Sequence, residues 1–130
     1  MSRFSSVEEV LVAVRDGAVE FGNFEVRPGV NAKGFFGNTP LFPAITWGDA
    51  TAVRLLIDAG ADVNMPGERG ETPLHHAIGM GAFPIARMLI AAGADCEARD
   101  DEGKAPRDWC WEGEWPGIFG THNSSPSSGT

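Results

Sequence analysis

The sequence predicts an all-α solenoid of about four stacked helix–turn–helix units, and three observations lead to this fold class. First, the segment 37–62 recurs as 70–95 at a constant offset of 33 residues, without a gap. A fixed period of this size is typical of a repeat array. Second, each copy holds two apolar stripes at helical spacing. Third, each predicted helix has about 8–10 residues, which is too short to be stable alone in water, so the units must bury their apolar faces against neighbours.

The later copy shows how one unit begins and ends its two helices. Thr72 suits the N-cap of the first helix, and Pro73 follows at the first helical position with its φ already fixed. Gly81 ends this helix, because glycine takes the left-handed conformation without steric cost. The second helix tolerates Pro84 in its first turn and stops at Gly93.

Two short motifs in these copies point to a known family. Thr72-Pro73-Leu74-His75-His76-Ala77 matches the pattern Thr-Pro-Leu-His-x-Ala at every fixed position, and Gly60-Ala61-Asp62-Val63-Asn64 is similar to the turn that closes one unit. Both resemble the ankyrin repeat, over residues 37–100. The resemblance implies short β-hairpin-like loops between units, a concave groove, and a histidine (here His75) that ties adjacent hairpins together. The earlier copy has Phe42 and Pro43 at the two histidine positions, so we expect only its first turn to be hydrogen-bonded differently.

The repeat register divides the chain into one domain and a tail. We expect the domain to cover residues 1–120, and we expect the Ser-rich segment 121–130 to be disordered. The units within the domain are an N-cap unit 5–33, repeat 34–66, repeat 67–99 and a C-cap unit 100–120.

The N-cap unit keeps only part of the pattern. Residues 1–6 are expected to be loose, and a helix is predicted from Val7 to Asp16 with Ser5 or Ser6 as its cap. Its apolar stripe is Val7, Val10, Leu11 and Val14. The second helix of this unit, about Ala18 to Glu25, is predicted to be shortened or irregular.

In the later units, single residues mark the helix starts. Asp49 can cap the second helix of repeat 34–66. Pro106 should begin a helix of the C-cap unit that ends near Gly113. The aromatic residues of that unit are expected to form a lid over the core in preference to a binding surface; they are Trp109, Trp111 and Trp115.

Charge and composition exclude several classes of function. The net charge of −8 argues against nucleic-acid binding through phosphate neutralisation and favours a partner with a basic surface. No run approaches about 18 apolar residues, so we expect no membrane span, and Glu8 and Glu9 interrupt any secretory signal. Cys96 and Cys110 have no metal-type spacing and indicate no disulfide framework, which favours a reducing, cytoplasmic location.

Catalytic, metal and cofactor sites are not predicted. His75 and His76 are neighbours on a helix and point about 100° apart, so they cannot both ligate one ion without further partners. We expect a structural role for His75, and partly buried packing between the two helices for His76. Cys110 replaces the small buried Ala77 of the previous unit and is expected to be a packed thiol.

A partner-binding surface is predicted from register. Phe35, Phe36 and Trp47 occupy hairpin-tip and inner-helix positions that are exposed on the concave side in the ankyrin family, and large exposed apolar groups indicate contact with a partner. The predicted binding residues are Phe35, Phe36, Asn38, Thr46, Trp47, Glu68, Arg69, Glu71, Met80, Arg99, Asp101, Glu102 and Lys104, with Arg15 and Asp16 at the N-terminal end.

The predicted function is non-catalytic binding of another protein through the concave groove and the hairpin tips, by a monomer. One alternative is an inhibitor or immunity-like protein that blocks a basic enzyme or toxin. A second is an assembly element that self-associates through its aromatic C-terminal segment.

Overall fold

The computed structural model describes residues 4–17, 29–34 and 37–109. It contains helices and connecting loops, and no β-strand occurs within these three ranges. The α-helices are α1 (Val7–Gly17), α2 (Leu41–Thr46), α3 (Ala50–Asp58), α4 (Pro73–Gly79) and α5 (Phe83–Ala91). Short 3₁₀ helices cover Glu68–Gly70 and Pro106–Trp109.

The helices stack in two layers. The inner layer runs from α2 to α4 and then to the 3₁₀ helix 106–109, and the outer layer runs from α3 to α5. Each inner helix also packs on the outer helix of its own repeat, while α1 contacts both α2 and α3. The predicted all-α solenoid is therefore confirmed for the part of the chain that the structure describes.

Equivalent residues of the two central repeats occupy equivalent places in the core. Leu41 and Leu74 are almost fully buried in the inner layer, as are Leu56 and Leu89 in the outer layer. The members of each pair are 33 residues apart in the sequence. The apolar stripes thus merge into one continuous interior, and this burial supplies the stability that short helices lack.

Helix α1 begins where the sequence predicted. Ser6 Oγ accepts a hydrogen bond from the backbone N–H of Glu9 at 3.3 Å. In return, the Ser5 N–H and hydroxyl donate to Glu9 Oε1 at 2.7 and 3.0 Å. These hydrogen bonds, above all the one from the Ser5 backbone, lower the pKa of the Glu9 carboxyl. The predicted second helix of this unit, Ala18 to Glu25, lies outside the described residues.

The first turn of α4 is held by a reciprocal cap. The N–H of His75 donates to Thr72 Oγ1 at 3.3 Å, and the N–H of Thr72 donates to Nδ1 of His75 at 3.1 Å. Nε2 of the same ring lies 2.8 Å from the carbonyl oxygen of Lys104. A carbonyl can only accept, so Nε2 carries the proton and Nδ1 is the acceptor. His75 therefore caps its own helix and fixes the next loop, which is the structural role predicted for it.

The equivalent turn of α2 lacks this cap. Phe42 stands at the position of His75 and offers no polar atom. The Thr39 side chain is 1% exposed, and its Oγ1 has no hydrogen-bond partner among the described residues. The expectation that this turn is hydrogen-bonded differently is correct.

The loops between units repeat one backbone hydrogen bond. In each loop, an N–H donates across the turn to the carbonyl four residues later, at 2.8–2.9 Å. The three donor–acceptor pairs are Gly34 and Asn38, Gly67 and Glu71, and Asp100 and Lys104.

Two asparagines link successive units on the outer side in the same periodic way. Asn31 donates to Gly60 O at 3.1 Å and accepts from the Asp62 N–H at 2.8 Å. Asn64 makes the same pair of bonds one unit later, to Gly93 O and from the Asp95 N–H. The side chain of Asn31 confirms that the register of the N-cap unit is restored at this point.

The helix starts in the later units follow their predicted signals. Asp49 Oδ1 accepts the Ala52 N–H at 3.0 Å and caps α3. Pro106 begins the 3₁₀ helix that is described to Trp109, and its predicted continuation to Gly113 lies outside the described residues. The domain limits and the disordered tail 121–130 stay predictions.

Exchanging the two equivalent threonines for valine should give opposite results. Thr72→Val removes a capping hydroxyl and is expected to lower the free energy of unfolding by about 1–2 kcal/mol. Thr39→Val removes a buried hydroxyl without a partner and should leave that free energy unchanged or raise it by up to about 1 kcal/mol. Urea unfolding followed by circular dichroism measures both values. Equal losses in the two variants would contradict the assigned difference in capping.

Gly79 should resist replacement although it lies in a helix. Alanine in place of a helical glycine normally stabilises by about 1 kcal/mol. At Gly79, however, a Cβ would lie 2.8 Å from Cζ3 of Trp109. We expect Gly79→Ala to lower the melting temperature, since the overpacking costs about 1–3 kcal/mol. Gly17→Ala is the control, because its Cβ would lie 3.8 Å from Trp47 and cause no clash; a similar shift in both variants would refute the close packing of Trp109.

Candidate functional site

The loop tips form a connected row along one edge of the stack. The Glu68 N–H donates to Asn38 Oδ1 at 2.9 Å, and the Asp101 N–H donates to the carbonyl oxygen of Arg69 at 3.0 Å. Each tip is thus hydrogen-bonded to the tip before it. We call the predicted binding residues on these loops the tip row: Asn38, Glu68, Arg69, Glu71, Arg99, Asp101, Glu102 and Lys104.

Glycines allow the tips to approach so closely. A Cβ on Gly70 would lie 2.5 Å from Asp101 Oδ1, and Gly70 also has a φ of +70°. A Cβ on Gly67 would overlap with Asn38 Oδ1. Side chains at these positions would separate the tips, so the glycines keep the backbone of the tip row rigid.

Charged side chains of the tip row point to solvent. Glu68, Arg69, Asp101, Glu102 and Lys104 are all exposed. Arg69 adopts a left-handed φ of +60°, an uncommon conformation for a residue with a side chain.

The remaining members of the tip row are more constrained. Arg99 donates from Nη1 to the carbonyl oxygen of Gly103 at 2.7 Å, which uses part of its guanidinium within its own loop. Asn38 and Glu71 are half-buried. Burial raises the pKa of the Glu71 carboxyl.

The inner helices add a second set of residues beside the tip row, which we call the inner row: Thr46, Trp47, His76 and Met80. Met80 is 50% exposed, which is unusual for a large hydrophobic side chain. Thr46 is exposed, donates to the Phe42 carbonyl oxygen at 3.1 Å, and lies 2.7 Å from Nε2 of His76. The inner row thus crosses from α2 to α4.

His76 packs more against the previous unit than between the helices of its own unit. Its ring lies 5.5 Å from that of Phe42, and its Nε2 lies close to the Thr46 hydroxyl. Half-burial of the ring lowers the pKa of His76, because desolvation disfavours the charged imidazolium. The sequence indicated partial burial but not this contact with α2.

The predicted exposure of Trp47 is wrong. Trp47 is half-buried, packs against the core, and stacks on Phe4 with ring centroids 6.0 Å apart. Phe4 is itself buried, so the expectation that residues 1–6 are loose is also wrong from Phe4 onward. The signal that could have revealed this is Phe4, a lone aromatic residue just before α1, where it can fold back onto the first inner helix.

Several predicted site residues lie elsewhere or cannot be placed. Phe35 and Phe36 lie outside the described residues, so their role stays a prediction. Arg15 and Asp16, on α1, form an ion pair with each other at 2.9 Å.

Trp109 occupies the lid position that the sequence predicted. Its ring meets the His75 ring edge-on at 5.4 Å and packs against the core. Trp111, Trp115 and Cys110 lie outside the described residues.

The residues considered for metal or thiol chemistry are not assembled into a site. Within residues 4–17, 29–34 and 37–109, no three His, Cys, Asp or Glu side chains come together to hold a metal ion. Cys96 is half-buried, and burial raises the pKa of its thiol, which disfavours the reactive thiolate.

The fold and the periodic contacts define a helical repeat protein, and comparison with known families gives its class. The family described as ankyrin repeats, in three copies, matches residues 10–100. The chain belongs to the ankyrin-repeat family. No curated protein matches the chain.

Membership of this family carries a general function. Ankyrin repeats are generally protein–protein interaction modules and typically non-catalytic. Among the helices of the described residues, none is long and apolar enough to cross a membrane.

The buried state of His76 should make stability depend on pH. Its pKa is lowered below the ordinary 6.5 in the folded protein, so the unfolded chain takes up a proton first as pH falls. We expect the contribution of neutral His76 to be complete above about pH 6.5 and to be lost as pH falls toward the folded-state pKa. Urea unfolding at a series of pH values, with His76→Gln as control, measures it. An identical pH profile in the control would refute this assignment.

Proposed function

We propose that the chain is a non-catalytic module that binds another protein through the tip row and the inner row. The observation that carries the proposal is the hydrogen-bonded chain of loop tips, which presents exposed side chains on a backbone fixed from one unit to the next. Binding to a pre-organised surface costs less ordering entropy than binding to mobile loops.

The chemistry of the two rows suggests separate contributions to binding. Met80 offers exposed apolar area, which supports affinity when a partner buries it. Glu68, Asp101 and Glu102 are exposed carboxylates and would favour a partner with basic groups. We no longer count Trp47 among the anchors that contact a partner directly, because it packs on Phe4. Its role is to support the inner row from behind.

A second candidate function is a protein that blocks a basic enzyme or toxin. The net charge of −8 and the exposed carboxylates of the tip row favour this alternative. It predicts that the captured partner is cationic and loses activity in the complex. A partner that stays active would leave the first proposal as the better one.

Self-association through the C-terminal aromatic residues has less support. Trp109 faces the His75 ring and the core, so it offers less surface to a second copy. We therefore retain the proposal of a monomer. A reducing, cytoplasmic location suits Cys96, a free thiol.

Substitutions on the two rows should remove the partner, while matched substitutions on the outer helices should not. The test variants are Met80→Asp and the pair Glu68→Lys/Asp101→Lys. The controls are Ala91→Asp and Asp58→Lys, both at exposed positions of the outer layer. Affinity capture with the tagged full chain, quantified by mass spectrometry, is expected to show about a tenfold or greater loss of the partner for the test variants.

The controls decide which face is used. Retention of the partner by the test variants, with loss in Ala91→Asp or Asp58→Lys, would move the binding surface to the outer helices and contradict the proposal. Circular dichroism of each variant establishes that the fold is intact.

A further inference from the structure

The outward face of α1 is less polar than the end of a solenoid requires. α1 turns Val10, Leu11 and Val14 into the core. Its opposite face carries Glu8, Glu9, Val12, Ala13 and Asp16. Terminal units of repeat proteins need a polar outer face, because nothing stacks on it. Val12, in the middle of this face, is instead 38% exposed.

A groove lies against this face. Its volume is about 540 Å³, within the range of roughly 300–1,000 Å³ that is usual for binding pockets. Phe4, Val12 and Ala13 supply its apolar lining. We call this depression the α1 groove.

The rim of the α1 groove is acidic. It is formed by the carboxylates of Glu8, Glu9 and Asp16. The hydrogen bonds from Ser5 favour the ionised form of Glu9, and Arg15 offsets the charge of Asp16 only in part, because both ends of this pair remain partly in water. The groove therefore combines an apolar floor with negative charge at its edges.

We propose that the α1 groove binds an amphipathic, positively charged helical segment of another protein. Apolar side chains on one face of such a helix would enter between Phe4 and Val12, and lysine or arginine residues beside them would meet Glu8 and Glu9. This is the helix-in-groove mode of recognition, with charge complementarity setting orientation and association rate.

Charge separates this occupant from the others. A second copy of the chain would bring an equally acidic rim and a net charge of −8 to the same place, so two grooves would repel each other. An anionic membrane surface would be repelled for the same reason. A cationic helix satisfies both the floor and the rim.

The α1 groove is separate from the surface proposed above. The tip row lies on the loops around Arg69 and Asp101, whereas the groove lies on the first helix. Substitutions can therefore remove one surface without the other, and failure of one proposal leaves the other standing.

The test uses a synthetic peptide of leucine and lysine whose leucines share one helical face. Calorimetric titration into the full chain is expected to show binding that is weakened about tenfold or more by Val12→Asp. Met80→Asp replaces the other markedly exposed large hydrophobic residue of the described ranges and should leave the affinity unchanged. The pair Glu8→Gln/Asp16→Asn should weaken binding and reduce its salt dependence, and it keeps the test decisive if Val12→Asp fails to fold.

Two control peptides and one measurement of mass complete the test. A peptide of the same composition with its leucines scattered, and one with glutamate in place of lysine, are both expected to bind at least about tenfold more weakly. Equal binding of either control, an unchanged affinity in Val12→Asp, or no binding of the first peptide would overturn the proposal. Light scattering that shows a dimer dissociated by Val12→Asp would assign the groove to a second copy instead, and would also overturn it.

Discussion

The structure depends on one constraint: its helices are too short to exist separately. α2 has six residues, α4 has seven, and α3 and α5 have nine each. Helices of this length are unstable in water, since few backbone hydrogen bonds offset the cost of nucleation. Stacking in register solves this, because Leu41 and Leu74 bury one inner layer and Leu56 and Leu89 bury one outer layer. The periodic sequence is the means by which each unit finds the same place against its neighbour.

The same stacking gives the candidate binding surface its shape. Since the loops recur with each unit, their tips come close enough for Asn38 to accept from Glu68 and for Arg69 to accept from Asp101. His75 reaches across to the next loop and caps its own helix with the same ring. Positions that hold the stack together repeat, while exposed positions such as 47 and 80 differ between units. Function in such an array is therefore expected where the periodicity is broken, and both Met80 and the tip row lie at such positions.

Much of the fold could be predicted from the sequence because its signals are local and repeated. Thr72 and Asp49 cap the helices they were expected to cap, and the register of Asn31 with Asn64 is reproduced by matching hydrogen bonds. The predictions that failed depend on contacts between distant residues. Nothing in the repeat pattern indicates that Phe4 folds back onto Trp47. Register shows where a side chain starts, but burial depends on what lies beside it.

The candidate site was predicted less completely than the fold. Register placed Met80 and the exposed members of the tip row correctly at the surface. It did not reveal the contact of His76 with Thr46, because that contact joins two units at positions where the repeat is not conserved between copies. It also missed the α1 groove, which exists only because Val12 lies on the free side of a terminal helix, beside Phe4. A single apolar residue between carboxylates is not a pattern that sequence reasoning can separate from an ordinary solvated face.

The most direct measurement of the central claim is native-state hydrogen exchange in a Leu89→Ala variant. Leu89 lies in α5 and is fully buried. If the units are stable only as a stack, the amides of α3 should lose as much protection as those of α5, by roughly 2–5 kcal/mol for a buried leucine. If the α3 amides keep their protection while those of α5 lose it, the repeats are independently stable and the account is contradicted.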